Sequence, residues 1–299
     1  MRLAERFNKP EYLYRPRQAL RRLAQAVLPE PEIADVLLPW GLRIRARPSE
    51  DLGRAIWRLG VYDLTLSEAI WRLLEPGEIA IDVGANIGYV TSLMAARSGS
   101  TGCVVSFEPH PKVFAELISN IESWRTQPIA HITAMELALS SKSGIAFLEE
   151  PSDFQRNPGT ARVATDQVSH VQISTARLDD IPLNSGKIDL LKLDVEGHEL
   201  EVLLGGRKLL ETGIIRDIIF EEHSRSFTSP VASLLESFGY VICLLTRTFT
   251  GPLFVTKEKQ YPLISYVPPN FLATRRLDRA VARFKSVGWH VLRPKVVRS

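Results

Sequence analysis

The sequence contains little cysteine and no long apolar run. Only two of its 299 residues are cysteines, Cys103 and Cys243, and both lie in apolar strand-like runs. This setting favours buried reduced thiols over a disulfide or a metal site. No apolar stretch approaches the roughly 20 residues that a membrane-spanning helix needs, and residues 1–6 lack the apolar core of a secretory signal. A cytoplasmic location is therefore the default expectation.

Acidic residues are scarce at both ends of the chain. Residues 1–30 carry a net charge of +4 and residues 275–299 carry +7, so the remainder of a chain with net charge +3 carries −8. An acidic body argues against nucleic acid as a partner. Apolar residues at helical spacing predict a basic helix over 17–28 and another over 277–284. The second helix either docks by its apolar stripe with its arginines in solvent or, like the first, contacts an anionic surface peripherally.

Between the basic ends, strand and helix signals alternate regularly. Helical patterns are clearest over Pro111–Trp124 and Leu200–Leu210. This alternation predicts an α/β fold with a mostly parallel sheet flanked by helices. The apolar strand runs are 78–83, 103–108, 130–134, 188–194, 216–221 and 240–245.

Segments outside this alternation predict additions to one central domain. Before it, two short strands surround a Pro-Trp-Gly turn within 35–45, and helices are expected near 51–59 and 66–74. Inside it, strands at 145–148 and 168–174 flank a polar loop, and a last strand is expected at 261–267. We divide the chain into an N-terminal segment (1–63), a central domain (64–274) and a basic tail (275–299).

The turn after the first central strand carries an acid and two glycines. Glycine permits a sharp bend and a close approach to a ligand, and the amide groups of a helix that begins near Ile87 are expected to face an anionic group. Glu108 ends the second strand, 20 residues after Gly88, where such a unit presents an acid to ribose hydroxyls. The turn consists of Asp82, Val83, Gly84, Ala85, Asn86, Ile87 and Gly88.

The turn lacks the third glycine that is typical of dinucleotide sites. Its pattern is Gly-x-Asn-x-Gly, which weakens a nicotinamide interpretation. Asp82 is a poor neighbour for a pyrophosphate and a good one for an α-amino group. An adenosine ligand with an amino acid attached, such as S-adenosylmethionine, is therefore the predicted cofactor. An NAD-dependent oxidoreductase and a non-catalytic cofactor-binding module are the alternatives.

Two further clusters of titratable residues follow apolar strands, at 194–199 and 221–223. The carboxyl ends of parallel strands share one edge of the sheet, where ligands bind. His223 is the predicted general base because histidine titrates near neutral pH. Glu222 or Glu196 is expected to assist it, and Asp194 is the rival base. Alternatively, Asp194, Glu196 and His223 collect a divalent cation, although their spacing assigns no metal.

Taken in this order, the clusters resemble the FkbM family of S-adenosylmethionine-dependent methyltransferases. The run from Asp194 to Glu199 is the most specific element, and the resemblance covers roughly residues 35–274. One departure is Asp63, where the family usually has glutamate. The similar segments are 60–63, 82–88, 107–109, 138–140, 178–180, 192–199 and 239–240.

The resemblance implies a class I methyltransferase (Rossmann-like) fold. This is a seven-stranded, mostly parallel sheet with the last strand antiparallel, here with helical additions at both ends. Members typically methylate hydroxyl groups of natural products or sugars, so the expected activity is O-methylation of a small-molecule or carbohydrate acceptor.

The resemblance also implies a role for each part of the cofactor site. Asp82, Gly84 and Asn86 are expected to line the methionine end of the cofactor. Glu108 is expected to hold the ribose, and Asp194 to lie nearest the sulfonium. The backbone around Ala138 is expected to flank the adenine, and the remaining predicted cofactor contacts are Ala85, Gly88 and Pro109.

Overall fold

The computed structural model describes residues 10–14, 29–151, 154, 156, 158, 161–163, 171–183, 186–259 and 268–293. The predicted helix over 17–28 and the predicted strand over 261–267 lie outside these residues. No helix in the described segments is long and apolar enough to cross a membrane.

The helices and strands largely follow the predicted alternation. The α-helices are α1 (Pro10–Tyr14), α2 (Asp51–Leu59), α3 (Leu64–Leu73), α4 (Tyr89–Ser98), α5 (Pro111–Trp124), α6 (Glu199–Gly205), α7 (Arg207–Thr212), α8 (Pro230–Ser237) and α9 (Leu277–Phe284). The strands are β1 (Ala34–Leu37), β2 (Arg43–Ala46), β3 (Ile79–Val83), β4 (Cys103–Phe107), β5 (His131–Met135), β6 (Ala138–Leu139), β7 (Gly144–Glu149), β8 (Arg162–Val163), β9 (Val171–Ala176), β10 (Ile188–Leu193), β11 (Ile215–Glu221), β12 (Val241–Arg247), β13 (Pro252–Thr256) and β14 (Asn270–Thr274). The single helix predicted over 200–210 was wrong, because the chain forms two short helices there that meet at Gly206.

Within the described residues, eight strands form the central sheet, in the order β13-β12-β14-β11-β10-β3-β4-β5. The five strands from β11 to β5 are parallel, and β14 runs antiparallel to both of its neighbours. The predicted α/β fold, with a mostly parallel sheet and an antiparallel last strand, is confirmed. The predicted number of seven strands was wrong by one, because β13 folds back on β12 at the edge.

Alternate residues of the central strands supply two cores, one on each face of the sheet. Ala80 and Leu190 belong to the cluster covered by α3 and α4, whereas Ile81 and Leu191 belong to the opposite cluster. This separation follows from the two-residue period of a strand. Because both faces are covered, a ligand reaches the sheet only at the ends of its strands.

The additions before and within the sheet also pack against it. β1 and β2 form the predicted hairpin, and Trp40 beside it donates from Nε1 to Ser92 Oγ at 3.0 Å in the core. Between β5 and β10 lies a smaller sheet, ordered β6-β9-β7-β8. The strand β8 lies in a segment predicted to be loop. Cys103 and Cys243 are free thiols, and Cys243 is buried as predicted, whereas Cys103 is only half-buried.

The C-terminal helix α9 docks by its apolar stripe. Ala280 is fully buried, and Leu277 and Phe284 pack against the core cluster that contains it. Docking is thereby confirmed, but the arginines do not all extend into solvent. Arg279 pairs with Glu75 at 3.1 Å, and its guanidinium is mostly buried. Contact of the basic ends with an anionic surface stays a prediction.

A buried ion pair on α3 fixes the segment that follows α9. Arg72 Nε donates to Glu68 Oε1 at 2.7 Å, and neither side chain is more than 2% exposed. The same guanidinium donates to three backbone carbonyls within 283–288, at 2.7–3.1 Å. Glu68 Oε2 accepts a hydrogen bond from Val291 N at 2.8 Å. Two charges inside the core are therefore satisfied by the C-terminal backbone.

We expect Arg72→Ala to lower the free energy of unfolding by about 3–5 kcal/mol, because it leaves the Glu68 carboxylate buried without its partner. Urea unfolding followed by circular dichroism measures the loss. The matched control is Arg125→Ala, whose pair with Glu122 is exposed and worth at most about 1 kcal/mol. Equal losses in the two variants would contradict the anchoring role of Arg72.

Candidate active site

A pocket opens at the carboxyl ends of β3, β4, β10 and β11. Strands β3, β4 and β5 follow one another toward one edge of the sheet, whereas β10 and β11 follow one another toward the other edge. The pocket therefore lies between β3 and β10, where the strand order reverses. Four predicted site residues do not line it: Asp82, Gly88, Glu222 and His223. Eight do line it: Gly84, Ala85, Asn86, Glu108, Pro109, Ala138, Asp194 and Glu196.

The backbone amides of the glycine turn are all bonded within the protein. α4 begins at Tyr89, two residues later than predicted, and no side chain caps it. The expectation that its first amides face an anionic group stays a prediction. The acceptors are Phe107 O for Gly84 N and Ala85 N, Glu108 Oε2 for Asn86 N, Asn86 Oδ1 for Ile87 N, and Ala85 O for Gly88 N, all at 2.7–3.0 Å. These amides are therefore not available to a pyrophosphate.

Gly84 is required where the turn meets the loop after β10. Its φ is +74°, and a Cβ built on it would lie 1.9 Å from the backbone oxygen of Asp194. Gly88, at φ +94°, instead lets the turn pack on Leu117 and Trp124. The two loops that enclose the pocket thus touch through backbone atoms, which leaves no space for a side chain at Gly84.

A buried lysine that the sequence analysis missed joins these two loops. Lys192 Nζ lies 3.1 Å from Asp82 Oδ1 and 3.7 Å from Asp194 Oδ2, and it donates to Gly84 O at 2.8 Å. Burial alone lowers the pKa of Lys192, but the charges of Asp82 and Asp194 outweigh it and raise the pKa. The available signal was a charged residue inside an apolar strand, two positions before Asp194 and hence on the same face.

Asp82 lies beneath the turn rather than in the pocket wall. It is fully buried, opposite Lys192 in the register of β3 and β10, and its Oδ2 accepts from Thr91 Oγ1 at 2.7 Å. Asp82 therefore stabilises the turn from the core side. Contact of Asp82 with a ligand stays a prediction, and its buried position argues against such contact.

Glu108 is held rigidly in the pocket wall. Its Oε2 accepts from Asn86 N at 2.9 Å and its Oε1 from His110 N at 3.0 Å. Burial raises the pKa of Glu108 to about 7, although these hydrogen bonds oppose the shift. A carboxylate has about four acceptor positions, so two amide donors leave capacity for the hydroxyl groups of a ligand.

The opposite wall of the pocket is acidic. Asp194, Glu196 and Glu221 line it, and Glu196 has a left-handed backbone with φ +52°. Burial raises the pKa of Glu221 to about 8, helped by the charges of Asp194 and Glu196. Glu221 was not predicted as a site residue, because only the pairing of β10 with β11 brings it near Asp194.

Tyr62 adds to this wall just before α3, and Asp63 beside it is buried. Asp63 is buried and caps the helix, since its Oδ1 accepts from Thr65 N and Leu66 N at 2.9 and 3.0 Å. Its Oδ2 accepts from Asn270 Nδ2 at 2.9 Å. Burial raises the pKa of Asp63 to about 6. Tyr62 lines the pocket and is half-exposed.

His223 lies outside the pocket wall, next to its acids. Its side chain is 62% exposed, with Nδ1 3.7 Å from Glu221 Oε1 and Nε2 3.9 Å from Glu196 Oε2. Glu222, the other predicted assistant, instead accepts from the N and Oγ of Ser224 at 3.0 and 2.7 Å. Among the described residues, no three or more His, Cys, Asp or Glu side chains are arranged to hold a metal ion.

His198 and Glu199, at the end of the 194–199 run, lie in different environments. His198 lines the pocket, and its Nε2 lies 3.0 Å from Ser140 Oγ. Burial lowers the pKa of His198. Glu199 is buried and accepts from Val195 N at 3.0 Å, so it stabilises the turn instead of facing the pocket.

This sheet, with its antiparallel last strand and a pocket at its reversal point, is that of the class I methyltransferases. A sequence profile of the methyltransferase FkbM domain matches residues 82–242, just over half of the chain. The chain belongs to the FkbM methyltransferase family, as its resemblance implied, and it is a methyltransferase.

Known relatives are similar over much of the chain. The hexuronic acid methyltransferase AglP from Haloferax volcanii is 33% identical over 188 residues, which cover 60% of this chain and 71% of AglP. The 2-O-methyltransferase NoeI from Sinorhizobium fredii is 28% identical over 166 residues, 49% of this chain and 65% of NoeI. The crystal structure of methyltransferase FkbM from Methylobacillus flagellatus KT aligns with a TM-score of 0.44 and 16% identity, over 70% of this chain and half of that one.

We expect Gly84→Ala to destabilise the fold by about 2 kcal/mol or more, because the added methyl group meets the Asp194 carbonyl and φ is positive. Gly186→Ala is the control, since a Cβ there meets no atom within 4 Å. Urea unfolding of both variants measures the difference. A Gly84→Ala protein as stable as the control would show that the loops separate without cost.

Proposed function

We propose that this protein transfers the methyl group of S-adenosylmethionine to a hydroxyl group of a carbohydrate or natural product. The observation that carries the choice of cofactor is the saturated turn. A dinucleotide places a pyrophosphate on the amides of such a turn, and here the amides of residues 84–88 already have acceptors. A cofactor without phosphate does not need them.

The charged residues of the pocket also suit this cofactor. Glu108 accepts two backbone hydrogen bonds and has capacity for ribose hydroxyls. Asp194, with a side chain that is 40% exposed, supplies a carboxylate to the positively charged part of the ligand. S-adenosylmethionine contributes an electrophilic methyl group on a sulfonium. The protein positions the acceptor in line with it, which accounts for much of the catalysis in such displacements.

The acidic wall limits the charge of the acceptor. Three carboxyl groups line it, those of Asp194, Glu196 and Glu221. The ammonium group of Lys192 also lies in the described part of the pocket, but it already pairs with Asp82 and donates to Gly84 O. Bringing a further carboxylate against this wall is unfavourable because like charges repel. The name of NoeI supports a hydroxyl acceptor, whereas the name of AglP indicates an acidic sugar for that relative. For this chain, the geometry favours an uncharged acceptor.

Ligand-induced thermal stabilisation tests the choice of cofactor. We expect S-adenosylhomocysteine to raise the melting temperature, since a ligand at 100 times its Kd stabilises the folded state by about 2.7 kcal/mol. NAD⁺ at the same concentration should have no effect. A shift with NAD⁺ alone would overturn the proposal in favour of an oxidoreductase.

At a pH well above the Glu108 pKa of about 7, Glu108→Gln should weaken the binding of S-adenosylhomocysteine about tenfold or more, because hydrogen bonds to a charged acceptor contribute about 1.5–3 kcal/mol. Isothermal titration calorimetry measures the affinity. Glu122→Gln, an equal change of charge on the exposed face of α5, is the control. If both variants bind like the wild type, Glu108 does not hold the ribose.

The acceptor class is tested with methyl-labelled S-adenosylmethionine and paired methyl glycosides of neutral hexoses and of the corresponding hexuronic acids. We expect label in the neutral sugars, in a product that resists mild alkali as an ether does and a methyl ester does not. Faster labelling of the hexuronic acids would contradict the role assigned to the acidic wall.

A further inference from the structure

Two carboxyl groups of the pocket wall lie at the ends of adjacent parallel strands. Asp194 follows β10, and Glu221 ends β11, the parallel neighbour of β10. Both side chains line the pocket. Because like charges repel, the negative charge of Asp194 disfavours ionisation of Glu221 and raises its pKa.

We propose that Glu221 is the catalytic group that accepts the proton of the acceptor hydroxyl, with Asp194 as its acidic neighbour in the pocket wall. This inference rests on the proposed methyl transfer to a hydroxyl. The acceptor oxygen gives its proton to a Glu221 oxygen and uses the electron pair of its broken O–H bond to bind the methyl carbon. The electron pair of the broken carbon–sulfur bond stays on sulfur, so the donor becomes a neutral thioether.

The position of Glu221 distinguishes it from the bases that the sequence suggested. Its side chain is only 20% exposed and lines the pocket, whereas His223 is 62% exposed and does not. Asp194 lies 3.7 Å from the ammonium of Lys192, so its charge already faces a cation. His223 lies on the exposed side of Glu221, with its Nδ1 3.7 Å from Glu221 Oε1.

The groups that face Glu221 make its protonation sensitive to pH near neutrality. Burial raises the pKa of Glu221 to about 8, and three acidic neighbours add to the effect. A base acts in its ionised form, so methyl transfer should rise as the pH increases through about 8. The facing groups are Asp194 and Glu196 from the turn before α6, Tyr62 and Asp63 from the segment before α3, Asn270 from β14, and His223.

The test compares wild type with Glu221→Gln and with Glu211→Gln, an equal change of charge on the exposed side of α7. S-adenosylhomocysteine binding is measured by calorimetry, and methyl transfer with methyl-labelled S-adenosylmethionine and a small-molecule extract of the source organism. We expect both variants to bind within about threefold of the wild type, which shows intact folding. Transfer should fall about 100-fold or more in Glu221→Gln, as for loss of a general base, and stay unchanged in Glu211→Gln.

Two pH measurements separate a proton acceptor from a structural carboxylate. In protein labelled with ¹³C at the glutamate carboxyl carbons, the resonance that disappears in Glu221→Gln should titrate with a midpoint near 8 in the wild type. Glu196→Gln removes a negative charge from the wall, which lowers the pKa of Glu221. The rise of methyl transfer with pH should therefore move to lower pH in that variant.

The outcomes distinguish this inference from the proposed function. A wild-type protein that binds S-adenosylhomocysteine but labels no compound contradicts the proposed function, and this inference with it. Labelling by Glu221→Gln at the wild-type rate, or a carboxyl midpoint below about 5, overturns the role of Glu221 alone. A larger loss in His223→Ala than in Glu221→Gln assigns the base to His223 instead.

Discussion

The ammonium group of Lys192 is the charge on which the arrangement of the pocket depends. It lies inside a β-strand where every neighbouring residue is buried, so it must be neutralised there. Asp82 from the adjacent strand and Asp194 two residues later supply the negative charge, and the Gly84 carbonyl accepts a hydrogen bond. One cation thus fixes the distance between the glycine turn and the acidic loop. The close contact of Gly84 with the Asp194 backbone follows from that distance.

Charge also divides the pocket into two parts with different chemistry. On one side, the turn amides already have acceptors, and the Glu108 carboxylate accepts hydrogen bonds from the backbone amides of Asn86 and His110, which suits hydroxyl groups more than phosphates. On the other side, Asp194, Glu196 and Glu221 lie together, and burial and the neighbouring negative charges raise the pKa of both glutamates. The left-handed backbone at Asn86 and at Glu196 sets one residue of each half at a strained position.

Local sequence patterns predicted most of the fold and about half of the site. The parallel strands and α5 were found because apolar periodicity and helix signals are local properties. The glycine turn and Glu108 were found because their spacing is fixed along the chain. Lys192 and Glu221 were missed as site residues, because their roles depend on partners brought by strand pairing. The acceptor for two of the turn amides is likewise the Phe107 carbonyl of a neighbouring strand. The strand β13 was not predicted because its sequence carries only a weak strand signal; it pairs with β12 as a hairpin.

The pair on α3 has a consequence for how the protein is made. Arg72 and Glu68 are buried, yet their backbone partners lie 211 to 223 residues further along the chain. During translation, most of the sheet can assemble while these two charges still lack the C-terminal carbonyls and amide that satisfy them. The antiparallel strand β14 also arrives late, between β11 and β12. A nascent chain therefore keeps a gap in its sheet, and two buried charges without their backbone partners, until residues 270–291 emerge. Arrival of that segment, rather than early collapse, completes the sheet.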